Sequence, residues 1–96
     1  MNSEEFRHSL KDDHPPGNLL PLLQALWWDA KGDWGRAHGI AQGIQSSDAA
    51  WVHAYLHRKE GDASNAGYWY RQAGKPHCKS ETDAEWLDIA DHLLRG

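Results

Sequence analysis

A dipeptide that occurs twice constrains this chain more than any other feature. Gly32-Asp33 recurs as Gly61-Asp62, 29 residues later. Gly ends a helix by adopting a left-handed conformation, and Asp caps the helix that follows. Each pair therefore predicts a helix, a tight turn and a second helix. With the turns aligned, the flanking segments fall into step: Leu22 meets Trp51, Leu23 meets Val52, Ala25 meets Ala54, Leu26 meets Tyr55, Trp27 meets Leu56, Ala37 meets Ala66 and Ile40 meets Trp69. The chain contains an internal repeat.

Apolar spacing supplies the helices. Leu19, Leu22, Leu23, Leu26 and Trp27 lie on one face, with Asn18 as the expected cap and Pro21 in the first turn, where its missing N–H costs nothing. After Asp33, the residues Trp34, Ala37, Ile40, Ala41 and Ile44 share a face. The first hairpin is expected over about 19–44. In the second, over about 47–74, Ser46 or Ser47 caps a stripe of Trp51, Val52, Tyr55 and Leu56, and Asp62 caps a helix carrying Ala66, Trp69, Tyr70 and Ala73. Gly74 and Pro76 end it. A capping helix over about 81–95 follows, started at Ser80 or Thr82 with Asp83 and Glu85 as capping-box acids. It presents Trp86, Leu87, Ala90, Leu93 and Leu94, and it does not match the repeat. Ahead of the repeat, Ser3 to Lys11 reads as a short amphipathic helix with Ser3 as its cap, broken by DDHPPGN. The fold class is all-α, and residues 1–96 make one domain.

Aliphatic side chains are sparse, which raises the question of disorder. Six Trp and three Tyr answer it, since each ring can bury roughly 150 to 250 Å². The net charge of −4 argues against a general nucleic-acid binder, which needs a basic face. Arg58, Lys59, Arg71, Lys75 and Lys79 form a basic stretch, while Glu81, Asp83, Glu85, Asp88 and Asp91 load the last helix with acid. They read as two solvated faces of opposite sign that can pair with each other. Cys78 is alone, so no internal disulfide forms. With no apolar run of roughly 20 residues and a polar start, MNSEEFRHSL, the expectation is a cytoplasmic protein without membrane contact.

Small residues at a helix crossing, a Gly-Asp turn and large residues in the next layer resemble tetratricopeptide-type repeats, with a shorter period. GDWGRAHGIAQ and DAAWVHAYLHRKEGDASNAGYWYRQAG are similar, over roughly residues 20–75, to a group of short uncharacterised bacterial proteins. The resemblance implies a right-handed stack of two antiparallel hairpins and a protein- or peptide-binding role, and it implies no activity. In such hairpins the first helix lines a groove.

At 100° per residue, His53 and His57 point away from the Trp51, Val52, Tyr55, Leu56 side, and Gln24 and Trp28 are their equivalents one repeat earlier. Gln24, Trp28, His53 and His57 are thus expected to form a contact strip for a protein or peptide, with Tyr68 and Arg71 as further surface contacts. Their i, i+4 spacing also suits two imidazoles on one metal, with His77 and Cys78 as supplements in a small metal-dependent protein or enzyme. No HEXXH, nucleophilic triad or P-loop is present. The expectation is therefore a non-enzymatic binding module with no cofactor and no native metal. Gly35, Gly39 and Gly43 form a bare stripe, each costing roughly 1 kcal/mol against Ala in a helix interior. That cost points to close approach by another helix, as in a homodimer.

Overall fold

A computed structural model describes residues 1–95. Among them there are six α-helices and no strand: α1 (Ser3–His8), α2 (Pro21–Ala30), α3 (Trp34–Gln42), α4 (Ser47–Lys59), α5 (Ala63–Ala73) and α6 (Thr82–Arg95). No helix among the described residues is long and apolar enough to cross a membrane.

The two turns superpose in their chemistry as well as in their sequence. Gly32 has φ +90° and Gly61 φ +89°, a region open to glycine at no steric cost. The Asp33 N–H donates to Trp28 O at 2.9 Å, and the Asp62 N–H to His57 O at 2.9 Å. Asp33 Oδ1 accepts from the Arg36 N–H, and Asp62 Oδ1 from the Asn65 N–H. Every one of these bonds is reproduced at the offset of 29 residues, so the duplication extends to the backbone.

Helix α2 packs most extensively on α3, and α4 on α5. Helix α4 is central, because it also touches α2, α3 and α6. Its residues Ala49, Ala50 and Val52 through His57 are all buried. Aromatic residues fill the core as their number requires. Trp27 is fully buried, and Phe6 stacks on Trp86 at 5.4 Å, which fastens α1 to α6. Indole N–H groups stitch the helices together. Trp34 donates to Leu56 O at 2.8 Å, Trp86 to Leu26 O at 2.9 Å, and Trp51 to Glu85 Oε2 at 3.1 Å. Such long-range bonds satisfy the indole N–H donors and fix how the helices sit on one another.

Three local expectations need correction. The cap of α1 is Asn2 and not Ser3. Asn2 Oδ1 accepts from the Glu5 N–H while Glu5 Oε1 accepts from the Asn2 N–H, and the helix tightens into a 3₁₀ turn at Ser9–Lys11. Asn18 does not cap α2. It has φ +65°, a left-handed turn residue, and α2 starts two residues beyond Leu19 with no side-chain cap, helped by Pro21. Glu85 lies on no solvated acidic face. It is 1% exposed and accepts from Arg58 Nε at 3.0 Å, Trp51 Nε1 and the Tyr70 hydroxyl. Burial first, and then these bonds to Glu85, push the Tyr70 phenol pKa upward. Asp29, 3% exposed, holds the Tyr55 hydroxyl at 2.7 Å and Lys59 Nζ at 3.1 Å. Among the described residues no buried side-chain nitrogen or oxygen lacks a partner.

Candidate metal site

Helix α4 carries His53 and His57 one turn apart, and α3 brings His38 against them. His38 Nε2 lies 2.8 Å from His53 Nε2. One donor nitrogen from each of His38, His53 and His57 can be chosen so that all three lie within 4.8 Å of one another. His57 Nδ1 is taken by Glu60 Oε1 at 2.6 Å, which leaves Nε2 as its other donor nitrogen.

Aromatic rings hold this cluster in place. The His53 ring lies nearly parallel to Trp69, at 3.9 Å and 12°, and to His57, at 4.9 Å and 20°. Trp34 stacks on His38 at 4.7 Å and meets His57 edge-on at 5.8 Å. Because the Trp34 indole N–H is bonded to Leu56 O, that ring has a fixed position from which to support His38. Packing and outer hydrogen bonds restrict these side chains, and a ring of the parallel His53–His57 pair must turn before both lone pairs meet one ion.

The electrostatics favour neutral rings at His38 and His53. Burial, with His38 and then His57 alongside, pushes the His53 pKa down to about 4. That of His38 is also lowered, by burial first and by His57 second, against an opposing pull from Glu60. An imidazole that is already neutral at pH 7 offers a lone pair without losing a proton.

The surroundings of His53 and His57 differ from the expectation of an exposed strip. They are 5% and 6% exposed, because α4 is covered on all sides, and a single apolar stripe is a poor guide to a central helix. Gln24 and Trp28 do not extend the cluster. Gln24 Nε2 donates to Leu19 O at 2.8 Å, and Trp28 lies against Trp27 with the Arg36 guanidinium 4.1 Å above it. Tyr68 is exposed and sets its edge on Trp69, and Arg71 is exposed. His77 and Cys78 join no cluster with the other histidines: His77 packs on the Tyr70 ring at 4.8 Å, and Cys78 Sγ lies 3.1 Å from Ser80 Oγ. Gly35 and Gly39 are exposed, with nothing within 4 Å of where a Cβ would stand, and Gly43 is the C-cap of α3. The partner missed by sequence reasoning is His38. It lies 15 residues before His53 on another helix, and its only signal was its place in the same GDWGRAHGIAQ segment.

Beside the cluster, a cleft of about 390 Å³ is lined by Gln42, Gln45, Tyr68, Trp69, Gln72 and the edge of His53, and no charged side chain lines it.

The chain matches no family model, and no curated protein or solved structure shows significant similarity to it. Fold and site together describe a small all-helical protein with three converging imidazoles.

Proposed function

We propose that this protein binds a single divalent transition-metal ion through His38, His53 and His57, on a scaffold of two tetratricopeptide-like helix pairs. The observation that carries the reading is the convergence of three ring-supported imidazoles from two helices. Imidazole donors suit zinc, copper, nickel or cobalt and not magnesium or calcium, which take oxygen. At a metal–nitrogen distance of about 2.0–2.1 Å, tetrahedral geometry separates the donors by about 3.3 Å. The His38 and His53 nitrogens, at 2.8 Å, must move apart by about half an ångström, and their rings must turn so that both lone pairs point at the ion that replaces the proton they share. Glu60 serves as the outer carboxylate that orients His57 through its Nδ1.

Equilibrium dialysis of untagged protein against zinc, followed by metal analysis, tests this. One equivalent is expected for the wild type and for Cys78→Ser, and a loss of uptake for His38→Ala. At a zinc concentration of 100 Kd the folded state gains about 2.7 kcal/mol, a rise in Tm of roughly 10–20 °C for a domain of this size. Wild type that takes up well under one equivalent, and melts at the same temperature with and without zinc, refutes the reading.

The uncharged, glutamine- and tyrosine-lined cleft favours a second reading, a module that holds an extended segment of a partner protein. Substitutions at buried His53 and His57 are a poor test of that idea. Tyr68→Ala with Gln72→Ala alters only the cleft's exposed wall, and unchanged affinity for any captured partner rejects this site.

A further inference from the structure

The three histidines leave a metal one coordination position short, and the residues around them show what fills it. A four-coordinate zinc or cobalt ion needs a fourth donor. Glu60 and Asp62 come within ligand reach of His57 but do not converge with all three rings, and Glu60 Oε1 accepts from His57 Nδ1 at 2.6 Å, the position of an outer carboxylate. The Cys78 thiol sits by Ser80 and by the Arg58 guanidinium, whose Nη2 is 3.8 Å from the sulfur. His77 lies on Tyr70. Trp34 and Trp69 cover His38 and His53 with ring faces that offer no lone pair, and the Trp34 N–H is bonded to Leu56 O. Among the described residues no fourth protein donor converges with these three. His38 is only half-buried and Glu60 is exposed, so solvent reaches this side of the cluster.

Resting on the metal reading above, we infer that the fourth position is open and exchangeable, and that it takes water, hydroxide or a small monodentate anion. Charge points the same way. Three imidazoles are neutral ligands, so the ion keeps its full double positive charge, whereas a thiolate would have cancelled part of it. A metal in such a set attracts anions and acidifies bound water. This is the arrangement of sites that do chemistry, in contrast to the closed four-donor sets of purely structural ions.

Cobalt(II) reports both metal uptake and coordination in its visible absorption, so the test uses the full chain loaded with cobalt and titrated with sodium azide. The expected result is one cobalt per chain, and a spectrum that shifts saturably with one azide per metal. Glu60→Gln should weaken cobalt uptake by about 10- to 100-fold, the usual cost of losing an outer-shell partner, while the loaded variant still responds to azide. Cobalt uptake with a four-coordinate spectrum that azide leaves unmoved overturns this inference and spares the metal reading. The inference is overturned in a specific way if Glu60→Gln gains an azide response that the wild type lacks, because Glu60 is then the fourth ligand. Absence of cobalt uptake removes both readings.

Discussion

Acid should loosen the metal-free protein through His53 before it does so through carboxylates. In the unfolded chain this imidazole takes a proton near pH 6.5, whereas in the fold it does so only near pH 4, because it is buried beside His38 and His57. Between those values the unfolded state binds more protons. Stability therefore climbs as pH rises from 4 to 6.5 and is fully present above 6.5. The difference of 2.5 pH units, at about 1.36 kcal/mol each, amounts to about 3 kcal/mol of stability lost on acidification. At a urea slope of about 1–3 kcal/mol/M, the unfolding midpoint moves down by roughly 1–3 M between pH 7 and pH 4. The lowered His38 acts in the same direction. To separate these rings from ordinary acid denaturation, urea curves in the presence of a chelator are measured for wild type and for His53→Phe. Phenylalanine keeps a flat ring beside Trp69 and His57 but cannot titrate. The variant should lose most of the pH dependence between 6.5 and about 5. Equal slopes for the two proteins across that window would refute the argument that His53 is held neutral.

Tyr70→Phe removes a hydroxyl that donates to the buried Glu85 at 2.7–2.8 Å; the expected cost is about 1.5–3 kcal/mol, read as a fall in Tm of roughly 6–24 °C by circular dichroism. Gly39→Ala should stabilise by about 1 kcal/mol in urea unfolding, because Gly39 is exposed in a helix and its added Cβ meets nothing. If the glycine stripe is a dimer interface, the gain disappears at protein concentrations where sedimentation shows a dimer and Gly39→Glu holds the protein monomeric. Gly61→Ala should have the opposite sign, about 1 kcal/mol or more of destabilisation, because φ +89° disfavours any side chain. A neutral result at Gly61 would mean that the turn relaxes.

What was legible in the sequence was local. The Gly-Asp turns could be read because their φ values and capping bonds depend on residues a few positions apart, and the helices because a period near 3.6 survives in Leu22, Leu23, Leu26 and Trp27. Contacts that depend on how helices sit together were not legible. His53 and His57 read as outward-facing only where the one apolar stripe is the whole buried face, yet α4 has neighbours all round. His38 could join them only once α3 was placed against α4. Likewise Glu85 looked like a helix-capping acid, and its bonds to Arg58, Trp51 and Tyr70 span 15 to 34 residues of chain.

The matching of the two turns has a further consequence. Moving back 29 positions turns His53 into Gln24 and His57 into Trp28, and moving forward turns His38 into Gly67. Neither copy owns the cluster: one contributes His38 from its second helix, the other His53 and His57 from its first. The three rings meet at the seam between copies, so a fluctuation that parts α3 from α4 dismantles them while each turn stays intact. An ion bound there would act as a clasp across the joint, slowing amide exchange at the facing ends of both copies and leaving exchange at the outer ends little changed.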